Sequence, residues 1–302
     1  MNGIAIIDKP AGITSAEVVR RVKKLVRPAR VGHLGTLDPF ATGVLPILIG
    51  EATKLAPFME GGDKRYRGVI RLGAETDTLD PEGAAVRTAL VPPLNREILA
   101  RLEHQFTGRI LQTPPTFSAI KRAGVPMYKL ARMGVDVEPP PPREVEIRFL
   151  KLEVSEPDMI AFELVCSTGT YVRALARDLG IAIGSAAHLA ELRRLWSGGY
   201  SIEQAVPLDD FLCALGSPGL QSVPIITLSD ALPGIPAVRI KPEQERRLRN
   251  GDSSALDMMA PATEGTFKVL DEAGGLVAIA RATSRVTAVI ERIFNQTAGS
   301  DL

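Results

Sequence analysis

Apolar positions along the chain recur with two periods, and the switches between them mark the first elements. Gly3 to Ile7 is a short apolar run that predicts a buried strand, and Asp8-Lys9-Pro10-Ala11-Gly12 supplies the turn that ends it. Thr14 then stands as a helix N-cap, with Glu17 as its capping-box partner. From Ala16 to Val26 the spacing is helical: Val18, Val19, Val22 and Leu25 share one face, and Arg20, Arg21, Lys23, Lys24 and Arg27 occupy the rest. Gly32 to Pro46, dense in glycine and proline, predicts a loop running into the apolar stretch Val44 to Ile49.

Lys64 to Leu72 alternates. Tyr66, Ile70 and Leu72 fall on one face and Arg65, Arg67 and Arg71 on the other, a strand with one basic side. Asn95 to Phe106 returns to helical spacing through Ile98, Leu99, Leu102 and Phe106. Met159 to Ser167 is an apolar strand, Thr168-Gly169-Thr170 a tight turn, and Tyr171 to Ile183 an amphipathic helix with Val172, Leu175, Ala176 and Leu179 inward.

Proline and glycine punctuate the rest. Glu138-Pro139-Pro140-Pro141-Pro142-Arg143 is a stiff polyproline-like segment, one end of an excursion from the main body. A domain boundary falls near Leu232-Pro233-Gly234-Ile235-Pro236. Beyond it come a short basic helix (Pro242 to Arg249) and paired strands Phe267–Asp271 and Leu276–Ala280 joined through Gly274-Gly275. The expected organisation is a large domain over 1–230 with an insertion over about 109–142, a small β domain over 231–295, and a tail over 296–302.

The 302 residues are 45% hydrophobic and 24% charged, enough apolar surface for a packed core. No run of about 18 apolar residues predicts a membrane span. The start of the chain lacks the basic and long apolar stretches of a secretory signal. Two cysteines, Cys166 and Cys213, make neither a disulfide framework nor a metal cage, and a cytoplasmic setting is expected. Net charge is only +1, but its distribution is uneven. Residues 1–72 carry 12 Lys/Arg against 6 acids, and between Glu103 and Asp136 there are five basic residues and no acid. Local positive clusters of this kind are what phosphate contacts require, although each alone is also compatible with a solvated face.

Several chemistries are absent from the sequence. There is no Gly-Lys-Ser/Thr phosphate loop, no Gly-x-Gly-x-x-Gly, no His-Glu-x-x-His zinc helix and no Gly-x-Ser-x-Gly elbow. His33, His104 and His188 are isolated. No cofactor and no metal are therefore expected. What remains is Val31 to Pro46, a glycine-rich loop around Gly35-Thr36-Leu37-Asp38-Pro39. On its own, Asp38 before a proline is also the usual makings of a turn.

That segment resembles the catalytic motif of the TruB family of tRNA pseudouridine synthases, and further segments match in order. Lys64-Arg65-Tyr66-Arg67 resembles the family's tyrosine-bearing strand, and Gly73 to Asp80 the acidic turn after it. Pro114 to Lys121, continuing through Gly124, Tyr128, Ala131 and Arg132, resembles its RNA-gripping insertion. Cys166 to Arg173 resembles the second active-site motif, and His188-Leu189 with Leu192-Arg193-Arg194 the third. The C-terminal segment resembles a PUA domain, a small RNA-binding β barrel. Leu34 and Phe40 depart from the first motif but keep its hydrophobic bulk.

The resemblance implies an α+β fold, a mixed and mostly antiparallel sheet flanked by helices, with a small barrel-like PUA domain behind it. It implies an isomerase that converts the T-loop uridine (position 55 in tRNA numbering) to pseudouridine after flipping it out of the stack. Asp38 would be the essential carboxylate, attacking C1′ or taking a proton from C2′. Arg173 would fix and ionise it, and Tyr66 would stack on the base and relay a proton. His33 would fill the vacated space, Tyr171 and Leu189 would line the pocket, and Lys9 would brace the loop or contact a phosphate. Lys121, Lys129 and Arg132 would bind tRNA phosphates. The partner would be the tRNA T-arm, with no obligate protein partner and a monomeric enzyme. Other readings are a tRNA-folding chaperone, a synthase working within a guide-RNA complex, and a glycosidase with paired carboxylates.

Overall fold

In this computed structural model the described residues are all except 60, 119, 123, 128–129, 131–132, 134–137, 217–223, 257–264, 284–286 and 296–302; at 121, 126 and 253 the backbone alone is described. The chain opens with β1 (Gly3–Lys9) and helix α1 (Ser15–Leu25), and strands β2 (Val31–His33) and β3 (Thr42–Ile49) bracket the loop that carries Asp38. The one-turn helix α2 (Ala56–Met59) leads to β4 (Lys64–Leu72), β5 (Ala74–Thr76) and β6 (Ala85–Thr88). Next come α3 (Arg96–Phe106), β7 (Gly108–Gln112), the two-residue strands β8 (Lys121–Arg122) and β9 (Val125–Pro126), β10 (Arg143–Glu156) and β11 (Met159–Cys166). Helix α4 (Val172–Ala182), β12 (Ala187–Ser197), β13 (Tyr200–Ser201), β14 (Val206–Pro207) and α5 (Leu208–Gly216) follow. The C-terminal part holds β15 (Ala237–Arg239), α6 (Pro242–Arg249), β16 (Gly265–Leu270), β17 (Leu276–Ala282) and β18 (Ala288–Ile293).

One ten-stranded sheet runs in the order β14-β1-β3-β12-β4-β11-β10-β7, with β13 added to β12 and β2 to β3. All its pairings are antiparallel except β1 with β14 and β3 with β12. This is the expected α+β architecture. Strand β1 is apolar on both sides because both are covered. Ala5 and Ile7 join the core shared with Val18 and Val22 of α1, Leu99 and Leu102 of α3, Leu175 and Leu179 of α4 and Phe211 of α5. Ile4 and Ile6 join a second core with Leu276, Ile279 and Phe294 of the C-terminal part. That part adds its own four-stranded sheet, β15-β16-β17-β18, with a third core between sheet and helix. Among the described residues this sheet has two ends and is not closed into a barrel. No helix among them is long and apolar enough to cross a membrane.

The first helix departs from expectation in two details. Thr14 accepts from the Glu17 N–H at 3.0 Å, but the Glu17 carboxylate turns away to Arg20 and Arg21 and closes no capping box. Leu25 is 46% exposed, since the helix ends there and its last turn projects past the core. The two longest strands were not legible from alternation. Strand β12 changes register at Leu189/Glu191 and Arg194/Trp196, and β10 at Ile147/Phe149 and Val154/Glu156, so the period of two breaks inside each.

Candidate active site

The loop between β2 and β3 is held from three sides. The Lys9 ammonium, fully buried at the end of β1, donates to the carbonyls of Pro10 and Ile13 at 2.8 Å and of Pro39 at 3.2 Å. Ser15, at the start of α1, accepts from the Leu37 N–H at 2.9 Å and donates to its carbonyl at 3.1 Å. Arg194 of β12, also fully buried, donates to the carbonyls of Val44 at 2.7 Å, Gly35 at 2.8 Å and Thr36 at 3.4 Å. At the loop's exit Gly43 has φ +103°, and a Cβ there would lie 2.2 Å from the Arg194 carbonyl oxygen, so only glycine lets β3 meet β12. Asp38 is therefore presented by a fixed turn.

Opposite it stands Arg173, in the first turn of α4 and 6% exposed. Its Nη2 donates to Asp38 Oδ1 at 3.1 Å, and Nε lies 3.0 Å from Oδ2, within ion-pair range but out of line for a hydrogen bond. On its other edge Nη1 donates to Asp80 Oδ2 at 3.2 Å and to the Thr78 carbonyl at 2.7 Å. Asp80 is 4% exposed and also accepts from the Thr78 hydroxyl and the Glu82 N–H. One guanidinium thus spans two carboxylates. Burial pushes the Asp38 carboxyl above the usual aspartate range, and the cations Arg173 and Lys9 pull it back only in part. The arginine orients the carboxylate but does not hold its pKa low.

Tyr66 lies on the core-facing side of β4, directly across from Arg194 of β12, and is 6% exposed. Burial pushes its phenol up to about 12, against the pull of Arg194, so it holds its proton at neutral pH. His33 on β2 has a buried Nδ1 without a hydrogen-bond partner, and burial followed by the nearby Arg194 charge lowers its pKa. Burial lowers Lys9 to about 8. Arg194 is the common neighbour of all these groups, a buried cation held by the carbonyls of Val44, Gly35 and Thr36 and hydrogen-bonded to the Tyr66 phenol.

The residues expected at the site divide into three sets. Asp38, Arg173, Tyr66, His33 and Lys9 come together around the loop, and Lys9 acts as its brace. Tyr171 is half-buried at the N-cap of α4, while Leu189 is fully buried in the main core, its N–H on the Leu79 carbonyl at 3.1 Å. Lys129 and Arg132 lie outside the described residues, as does the side chain of Lys121. Sequence reasoning missed Asp80 and Arg194 as site residues. Both sit inside stretches that had been noted, the acidic turn ending at Asp80 and the double arginine of β12, but nothing in their spacing says which acid or which arginine turns inward.

Residues 23–172 match the model of the TruB family pseudouridylate synthase N-terminal domain, and residues 173–217 that of the tRNA pseudouridylate synthase B C-terminal domain. The chain belongs to the TruB family. It is 43% identical over 251 residues to tRNA pseudouridine synthase B of Geobacter sulfurreducens, covering 83% of this chain and 82% of that one. Against tRNA pseudouridine synthase B of Syntrophotalea carbinolica it is 41% identical, covering 93% and 92%. Among solved structures, a chain of an H/ACA ribonucleoprotein bound to a substrate RNA containing 2′-deoxyuridine superposes with a TM-score of 0.72 at 22% identity, over 97% of this chain and 85% of that one. That likeness shows a shared fold. The first TruB model spans Asp38 and Tyr66 and the second begins at Arg173, so the ion pair joins the two matched segments.

Proposed function

We propose that this chain isomerises a uridine of tRNA to pseudouridine, and that the uridine is the one in the T-loop at position 55. The observation that carries the reading is the Asp38–Arg173 pair, a carboxylate clamped by a buried arginine on a braced loop, in a chain of the TruB family. In the reaction the bond between ribose C1′ and uracil N1 breaks, the base turns, and C1′ bonds to C5. The proton lost from C5 is balanced by one gained at N1, so substrate and product are isomers. Asp38 supplies the carboxylate, at C1′ as nucleophile or at C2′ as base. Arg173 keeps its two oxygens aimed. The protonated Tyr66 stacks on the extruded uracil and is the proton relay, and neutral His33 fills the space the base leaves.

Lys121, Lys129 and Arg132 contact T-arm phosphates, and the C-terminal β domain adds RNA surface. The enzyme works as a monomer without an obligate protein partner. The relatives carry the name of a synthase, which favours isomerisation over the tRNA-folding role.

The test is tritium release from unmodified tRNA labelled at uridine C5, with wild type and Asp38→Asn. Release from wild type, lost with Asp38→Asn and lost when the T-loop uridine is replaced by cytidine, is expected. No release from wild type would sink the activity, and release unchanged by the cytidine replacement would sink the position.

A further inference from the structure

The two crossings that join residues 113–142 to the sheet lie side by side. Gln112 ends β7, Arg143 begins β10, and the two are cross-strand partners. Both side chains reach the same turn ahead of α4. The Gln112 amide is fully buried, with Nε2 donating to the Tyr171 carbonyl at 3.1 Å and Oε1 accepting from the Tyr171 N–H at 2.8 Å. The Arg143 guanidinium carbon lies 4.8 Å from the centre of the Tyr171 ring, and its Nη2 donates to the Gly169 carbonyl. Tyr171 is thus held by its backbone from one strand and by its ring from the other.

Tyr171 is the N-cap of α4, and no side-chain bond of its own caps that helix. Two residues further on stands Arg173. The segment beyond the crossing adds two contacts to the same helix: the Phe117 carbonyl accepts from Arg173 Nη2 and the Thr113 carbonyl from Arg177 Nη2, each at 3.0 Å. A buried amide satisfied on both edges by one residue's backbone sets the position of that residue along and across the helix start. An apolar side chain of similar size would fill the space but leave the Tyr171 N–H without its acceptor and the Tyr171 carbonyl with only the helical Leu175 N–H. The first turn of α4 would then have no polar tie to the sheet edge at this point.

We propose that Gln112, with Arg143 beside it, is a positioning residue for the reaction. It sets Tyr171, and through the first turn of α4 sets Arg173, in register with Asp38. The contacts of Thr113 and Phe117 with this helix and the aim of Arg173 are thereby fixed together. The inference rests on the synthase reading above.

Gln112→Leu removes both bonds at nearly constant bulk. Gln112→Glu keeps the acceptor and regains the donor only when protonated, which burial favours. Three quantities are measured on the full chain: affinity for unmodified tRNA, single-turnover tritium release at saturating enzyme, and thermal midpoint. For Gln112→Leu the single-turnover rate is expected to fall about 10- to 100-fold with affinity within about threefold, as for a misplaced reacting group. For Gln112→Glu the rate relative to wild type at the same pH climbs as pH falls from about 8 to about 6, because the protonated carboxyl restores the donor. A wild-type rate in Gln112→Leu, or a loss carried wholly by affinity, overturns the proposal. Should Gln112→Leu fail to fold, a pH-independent ratio in Gln112→Glu overturns it and a climbing one sustains it. A wild-type chain that releases no tritium overturns the synthase reading itself, separately from the role of Gln112.

Discussion

Arg173 Nη2 and Asp38 Oδ1 are 3.1 Å apart although 135 residues separate them in sequence. The same guanidinium bonds Asp80 and the carbonyls of Thr78 and Phe117, so Nη1 and Nη2 each hold two acceptors. A lysine has one point charge and cannot reproduce that fork. Arg173→Lys is therefore expected to lower kcat for tritium release about 100-fold while tRNA affinity changes only a fewfold. Equal kcat in the variant would show that the carboxylate needs charge and no orientation.

Asp80 lies 4% exposed on the far side of the same arginine. Asp80→Ala leaves part of a buried cation uncompensated and is expected to destabilise the fold by about 3 kcal/mol. Asp80→Asn, which keeps an acceptor, should cost less. Chemical denaturation of both variants checks the order.

The proposed reaction uses Asp38 as an ionised carboxylate, and its pKa is raised by burial. The acid limb of kcat/KM should therefore lie above the ordinary aspartate value of about 3.9. Lys9 pulls the same carboxyl down, so Lys9→Met should move that limb to higher pH. With Tyr66 pushed up to about 12, no alkaline limb near neutrality belongs to its phenol. Tyr66→Phe should lower the rate and leave the shape of the profile unchanged.

Lys9 also ties stability to pH. Folded, it releases its proton near 8, while unfolded it holds it to about 10.4, so unfolded chains bind more protons between those values. Its contribution makes the protein more stable as pH rises through that window. Lys9→Met should flatten the rise in a series of denaturation curves, and should lower stability overall by leaving the Pro10 and Ile13 carbonyls without this donor and the Pro39 carbonyl with only the Gly12 N–H.

Gly43→Ala would place a Cβ 2.2 Å from the Arg194 carbonyl oxygen at φ +103°. Neither atom can move without parting β3 from β12, which are joined at only two residue pairs. The substitution is expected to cost about 3 kcal/mol or more and to abolish tritium release in whatever protein still folds.

The helices and the strand bearing Tyr66 were legible because each keeps one period throughout, as Val18 and Val22, Leu99 and Leu102, and Tyr66 and Ile70 show. Strands β10 and β12 were not, since bulges move their side chains from one face to the other midway. At the site, Asp38, Tyr66 and Arg173 were legible through motifs. Asp80 and Gln112 were not, because their roles depend on contacts 93 and 59 residues away that no local pattern encodes.

Arg143 and Gln112 close residues 113–142 at a cross-strand pair, so the ends of that segment are pinned by the sheet whatever lies between them. The entropy of closing a loop grows only slowly with its length. The neck thus keeps the register of the sheet independent of the segment's length: residues inserted at exposed positions between Phe117 and Arg143 cost little, while Tyr171 stays where Gln112 holds it. Within such a scaffold the length of the inserted segment is free to diverge, and the geometry beneath it is not.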